Sequence, residues 1–326
     1  MNNLESNIKN HKKAIPRVFF LGSGDIAVAP LAKLHKSEKI DLIGVATQED
    51  RPAGRKRHLM PTPVGLWAAE NGVEIDKPAS VNSSEFIEKL RLLKPDIIFV
   101  LSFGQILKKE ILDLPEIAPV NLHASLLPLY RGASPIAAAL LNGDKSTGIT
   151  FMKMDEGLDT GDEYCRFEYK ITDEKADELE IALANLSADH IEDVLAKIAN
   201  NEYPLIPQNN EKATYAGKIK KSAGIIDWNE PAEKIVAKLR AYHPWPGVSF
   251  TYQTPKRPIK ITITDAEALP GPSEILPGEK IKANKSGWEI ATGKGALSIK
   301  RLKPEGKGEM TAAEFVRGRP ELLKNN

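Results

Sequence analysis

Residues 17–200 alternate short apolar runs with stretches of helical spacing, a rhythm that few architectures accept. The runs are Arg17–Gly22, Asp41–Thr47, Asp96–Ser102, Pro119–His123 and Gly148–Met154, all rich in Val, Ile or Phe. Short, nearly continuous apolar runs suit strands buried on both faces of a parallel sheet. Between them, Ser83–Leu93 reads as a helix that Ser83 caps and that ends before Lys94-Pro95. A second helix is capped by Ser134-Pro135, runs to Asn142 and stops at Gly143. Over residues 173–198, Leu179, Leu183, Leu186, Val194, Leu195 and Ile198 recur at helical spacing, predicting a long amphipathic helix. The pattern predicts an α/β fold with a doubly wound, Rossmann-like, mostly parallel sheet over residues 17–200.

The rhythm then stops. Residues 201–225 read as a linker. A helix at Pro231–Tyr242 is followed by five short strands between Pro/Gly-rich turns: Val248–Tyr252, Ile259–Thr264, Glu279–Ala283, Trp288–Ala291 and Leu297–Leu302. Residues 226–326 are therefore expected to form a smaller OB-like β-barrel. A length of 326 residues fits two domains of roughly 150 each. Residues 1–16 are polar, carry Glu5, Lys12 and Lys13 without arginine, and are expected to be a flexible leader. Uninterrupted apolar runs such as Ile97–Leu101 are far short of the ~20 residues of a membrane span, so a cytoplasmic protein with no membrane partner is expected. One cysteine, Cys165, excludes an internal disulfide framework and a multi-cysteine zinc site.

The net charge of +1 conceals an asymmetry. Residues 205–326 hold 21 Lys+Arg against 13 Asp+Glu, while residues 1–204 hold 24 against 31. The basic part suits a polyanionic partner, and it equally suits a solvated lysine-rich surface.

Three segments carry chemistry. Gly22-Ser23-Gly24-Asp25-Ile26-Ala27 follows the first strand and matches the loose dinucleotide fingerprint, with Glu49 and Asp50 near the place of a ribose-binding acid. On that motif alone an NAD-dependent dehydrogenase competes with a plain strand-to-helix turn. After the second strand, Gln48–Pro63 forms a long, Pro-containing loop with Arg51, Arg55, Lys56, Arg57 and His58. Loops of that length are commonly functional, and arginines on them suit phosphate contacts. The third is Asn121-Leu122-His123-Ala124-Ser125-Leu126-Leu127-Pro128, at the C-terminal end of an expected strand, where open α/β sheets place ligands.

Asn121 and His123 are two apart, so a strand turns both to one face. An uncharged amide donor beside a group that titrates near neutrality is what acyl transfer needs: one stabilises a developing oxyanion, the other takes the proton of an attacking amine. Asp155-Glu156-Gly157-Leu158-Asp159-Thr160-Gly161-Asp162 follows the next strand. Its acids do not have EF-hand spacing, so no metal is expected. A carboxylate that orients His123 fits better, and Asp159 lies between Gly157 and Gly161, which permit a tight loop to aim it.

At these residues the chain resembles the formyltransferases that use 10-formyltetrahydrofolate, in detail those acting on methionyl-tRNA. The resemblance covers residues 17–319. It rests on Asn121, His123 and Ser125–Pro128, on Arg131-Gly132-Ala133-Ser134-Pro135, and on Thr147, Gly148, Met154 and Gly157–Gly161. Tyr215-Ala216, Lys218-Ile219, Ile226-Asp227-Trp228, Arg240-Ala241 and Pro244-Trp245-Pro246-Gly247 match the family's later segments. The departures are Gly22–Ala27, where the family has Gly-Thr-Pro-x-Phe-Ala, Gly54–His58, where a second glycine is common, and Gly65, where lysine is frequent.

The resemblance implies catalytic roles for Asn121, His123 and Asp159. It implies folate binding at Ser125, Leu126, Leu127 and Pro128 and along Phe103, Gly104, Gln105, Ile106 and Leu107. It implies tRNA contacts at Arg51, Arg55, Lys56 and Arg57. The expected activity is transfer of the formyl group of 10-formyltetrahydrofolate, as cosubstrate, to the α-amine of initiator methionyl-tRNA by a monomer without metal or NAD. A sugar-nucleotide N-formyltransferase with the same catalytic trio is the alternative. A non-catalytic nucleic-acid-binding protein would explain the charge but leave Asn121, His123 and Asp159 without a reason.

Overall fold

A computed structural model describes residues 15–53, 58–255, 257–272, 274–284 and 287–323. The expected leader therefore lies almost wholly outside the described residues. The central sheet is built from β1 (Arg17–Gly22), β2 (Asp41–Ala46), β3 (Ile97–Leu101), β4 (Ala118–His123), β5 (Ser146–Lys153) and β6 (Glu163–Lys170). Its order is β2-β1-β3-β4-β5-β6. The first four strands are mutually parallel, and β5 pairs antiparallel with β4, with His123 opposite Thr150 and Asn121 opposite Met152. β6, which the sequence pattern did not single out, closes the order.

Alternation on β1 supplies both faces of the core. Phe19 and Leu21 join Phe86, Ile87 and Leu90 of helix α2 (Ser84–Leu93), together with Ile98, Val100 and Phe103. Phe20 turns the other way, toward Phe99, whose ring meets Phe151 of β5. α1 (Val28–His35) is tied to the long helix α4 (Ala176–Ala199) by Lys33–Glu192 at 2.8 Å and Lys39–Asp193 at 2.7 Å. The Ser83 side chain caps α2 by accepting from Phe86 N–H, and Lys94 ends it at φ +45 before Pro95. Ser134 behaves differently. It makes no capping bond, and α3 (Pro135–Asn142) starts on the fixed φ of Pro135 and ends at Gly143, φ +71.

The described chain groups into two compact units. The first comprises residues up to Pro128, Ile149–Phe167 and Ile181–Glu211; the second comprises Leu129–Gly148, Glu168–Glu180 and the chain from Lys212 onward. Within the second unit, α3 packs against α5 (Ala232–Ala241). Arg131–Gly132 pairs in parallel with Tyr215–Ala216, so part of the expected linker is a strand. The five later strands form as expected: β7 (Val248–Gln253), β8 (Pro258–Leu269), β9 (Lys280–Asn284), β10 (Gly287–Ala291) and β11 (Ala296–Pro304). They make one antiparallel sheet in the order β7-β8-β11-β10-β9. Trp228, Phe250, Trp288 and Phe315 interlock against it at centroid distances of 5.2 to 5.7 Å.

Candidate active site

β4 delivers the first two functional side chains. Its pleat sends Asn121 and His123 to one face at the carboxyl end of the parallel strands, and His123 is buried. Asp159 comes from the loop between β5 and β6, and its Oδ2 stands 3.6 Å from His123 Nδ1. The loop achieves this under backbone constraint. Asp159 itself adopts φ +53. A Cβ on Gly161 would lie 1.8 Å from Lys153 O, and one on Gly157 would lie 1.9 Å from Thr160 Oγ1. Asp155 Oδ1 accepts from Gly157 N–H at 2.9 Å and from Thr160 Oγ1 at 2.7 Å, which fixes the loop's first half. An imidazole with a carboxylate on one ring nitrogen and an amide two residues away can exchange a proton on one side and stabilise a new negative charge on the other.

The turn Ser125–Pro128 leaves β4 and is clamped from β5. Thr150 Oγ1 donates to Ser125 O at 2.7 Å and accepts from Leu127 N–H at 3.1 Å. Arg166 Nη1 donates to Leu127 O at 2.9 Å. Sequence reasoning missed Thr150 and Arg166. Thr150 carried a signal, as a hydroxyl inside the otherwise apolar run Gly148–Met154, whereas Arg166 lies in β6, which the pattern did not single out.

Phe103–Leu107 divides its side chains. Phe103 and Leu107 are core residues, while Ile106 is 85 % exposed. Gln105 Oε1 accepts from Val81 N–H at 3.0 Å, which ties the segment to the chain before α2. An open cleft of about 510 Å³ lies at the start of β4, lined by Lys109, Leu112, Ile117 and Pro119 and by Lys153, Met154, Asp155 and Glu156, the last of which begin the loop that carries Asp159.

The glycine turn after β1 uses its donors internally. Ser23 N–H and Gly24 N–H both donate to Ser102 O at 3.2 Å. These are amides that a bound pyrophosphate would require. Asp50, at the expected ribose-binding place, pairs with Lys77 at 2.5 Å. Gln48 Nε2 donates to Phe103 O at 2.6 Å, and its Oε1 accepts from Arg51. Arg51–Ala53 pairs antiparallel with His58–Met60, so the flanks of the basic loop form a short ladder. Arg55, Lys56 and Arg57 lie outside the described residues. Among the described residues, no three His, Cys, Asp or Glu side chains are grouped to hold a metal, and no helix is long and apolar enough to cross a membrane.

The formyl transferase model matches residues 16–195, and the model of the formyl transferase C-terminal domain matches residues 218–320. The methionyl-tRNA formyltransferase of Methylacidiphilum infernorum is 38 % identical over 304 residues, 93 % of this chain and 95 % of that one. That of Halorhodospira halophila is 41 % identical over 308 residues, 93 % and 96 % of the two chains. The chain belongs to the methionyl-tRNA formyltransferase family. Two solved structures share the fold at lower identity. An N-formyltransferase from Helicobacter canadensis, in complex with folinic acid and dTDP-3-aminofucose, has a TM-score of 0.61 and 20 % identity over 88 % of this chain and 98 % of its own. HypX from Aquifex aeolicus, in complex with tetrahydrofolic acid, has a TM-score of 0.59 and 16 % identity, covering 96 % of this chain and 48 % of that one.

Proposed function

We propose that this chain transfers the formyl group of 10-formyltetrahydrofolate to the α-amino group of initiator methionyl-tRNA, in the cytoplasm. The observation that carries the reading is the convergence of Asn121, His123 and Asp159 at the end of β4, with His123 Nδ1 and Asp159 Oδ2 3.6 Å apart. 10-Formyltetrahydrofolate supplies the formyl carbon that the amine attacks. Asn121 donates from its amide to the formyl oxygen as negative charge develops there. Asp159 holds the His123 ring by Nδ1, and the opposite nitrogen, Nε2, takes the proton that the amine gives up on attack and later returns one to the leaving nitrogen.

The residues fit a folate by their chemistry. The cleft at the start of β4 sets Lys109 and Lys153 among Asp113, Asp155 and Glu156, which would repel an anionic tail, so the folate is assigned to the turn after β4 instead. Ser125–Pro128 and the exposed Ile106 form the proposed folate surface, with apolar Leu126 and Ile106 suited to a flat ring and Phe103, Gly104 and Gln105 in the same segment as Ile106. All three catalytic side chains come from one chain, so a monomer suffices. The matches at residues 16–195 and 218–320 support a catalytic part over 17–200, a linker over 201–225 and a tRNA-binding part over 226–326. Arg51, Arg55, Lys56 and Arg57 are assigned to the tRNA by their charge and by the family resemblance. The test is formyl transfer from 10-formyltetrahydrofolate to charged initiator tRNA and, in parallel, to an amino-sugar nucleotide. Preference for the sugar would replace this reading with the N-formyltransferase one.

A further inference from the structure

The Asp159 loop returns to β6 through two carbonyls that a single side chain holds. Gln208 Nε2 donates to Asp159 O at 3.0 Å and to Gly161 O at 2.7 Å. Gln208 is 9 % exposed. Carbonyl oxygens only accept, so the carboxamide must present its nitrogen here, and that NH2 group has two hydrogens to give. The backbone delivers it by a local pairing. Ile206 and Glu163 exchange both main-chain hydrogen bonds at 2.9 Å, which lays the chain after α4 alongside the start of β6. Two residues further on, Gln208 lies under the loop. The loop needs such support because Asp159 has φ +53, a left-handed conformation that a residue with a Cβ keeps only where its surroundings impose it. Asp155 fixes the first half of the loop through Gly157 and Thr160, and Lys153 N–H closes the far end on Asp162 O at 2.9 Å. Gln208 grips the stretch between those ties.

We propose that Gln208 is a positioning residue for formyl transfer. By holding the carbonyls of Asp159 and Gly161 it keeps the Asp159 carboxylate facing His123, and it acts on the chemistry only through Asp159. The proposal rests on the role given to Asp159 and His123 above. It assigns a catalytic consequence to a segment that the sequence presents as the beginning of a linker.

The test is a double-mutant cycle. Gln208→Leu removes both donors at similar size. It is expected to lower kcat by ~10- to 100-fold, the scale of a misplaced catalytic group, while the KM values for folate and tRNA stay within about twofold. In an Asp159→Ala background the same substitution is expected to change kcat by less than about twofold, because the group being positioned is gone. A purely structural role would give the same loss in both backgrounds and would overturn the proposal, as would full turnover by a folded Gln208→Leu enzyme. Thermal unfolding checks that each variant is folded. If Gln208→Leu does not fold, Gln208→Asn serves. It keeps the amide but withdraws it by one methylene, and must lower kcat in the wild-type background and not with Asp159→Ala. Wild-type protein that formylates no amine acceptor would overturn the reading of the site itself, which separates the two failures.

Discussion

At the scale of single residues, the chemistry is concentrated in three side chains whose loss has distinct expected signatures. His123→Ala and Asp159→Ala should each lower the turnover of formyl transfer at least ~10²-fold, as loss of general acid–base catalysis does. Asn121→Ala should lower it ~10²–10³-fold, the effect of removing an oxyanion donor. Steady-state kinetics with tRNA binding measured separately checks both, because binding should change little. Cys165 offers a test of burial near the same sheet. Burial pushes its thiol up to about 11 from the ordinary 9.0, against smaller opposing effects from Tyr203 and Lys197. The native protein therefore holds less thiolate at pH 8 than the unfolded chain. Alkylation by iodoacetamide, followed by mass spectrometry, should be ~10²-fold slower in the native state. Equal rates in both states would mean that Cys165 is not shielded.

At the scale of elements, the site depends on how β5 is laid against β4. Antiparallel pairing puts Thr150 opposite His123, and from there one hydroxyl fastens the Ser125–Leu127 turn in both directions. Thr150→Val preserves the shape and removes the hydroxyl, leaving Leu127 N–H and Ser125 O without that partner in a buried place. The expected cost is about 1–3 kcal/mol of stability, read as a lower urea midpoint at unchanged slope. An unchanged midpoint would show that the clamp contributes nothing. The same logic explains why the helix at Ser83 was legible and the cap at Ser134 was not. Ser83 meets the amide three residues ahead of it in sequence, a local event. At Ser134 the start is already set by Pro135, and Ser134 N–H is drawn to Ala216 O at 3.2 Å, a partner that no local pattern reveals.

At the scale of the whole molecule, charge is the property that reaches farthest. A tRNA substrate releases counterions when lysines and arginines neutralise its phosphates, so its use should weaken steeply with salt. The excess of 21 Lys+Arg over 13 Asp+Glu after residue 204 supplies a diffuse attraction, and the basic loop supplies a local one. Arg55→Ala is expected to raise the apparent KM for methionyl-tRNA, by about 1–3 kcal/mol if a bidentate base contact is lost. Arg51→Ala should act in the same direction. A salt titration of transfer by wild type and both variants checks this. A wild type indifferent to salt, or variants that use tRNA unimpaired, would remove the loop from the tRNA surface.

The alternation of strands and helices, the boundaries of β1 and α2, and the shared face of Asn121 and His123 were all legible in the sequence. Each follows from local periodicity, capping chemistry or the two-residue repeat of a strand. Asp159 could be nominated because its loop is short, acidic and flanked by glycines. Its approach to His123 could not be derived locally, since the two are 36 positions apart and meet only through the β4–β5 pairing. The fate of the glycine turn was also a tertiary matter. The same Gly-x-Gly pattern that offers amides to a pyrophosphate here gives them to Ser102 O, because β3 ends beside β1. Gln208 carried no sequence signal at all: its role depends on two carbonyls nearly fifty residues earlier, and only the pairing of Ile206 with Glu163 brings them together. Local propensity specifies elements, whereas burial and hydrogen bonding between distant segments decide which polar groups meet, and the site is made of such meetings.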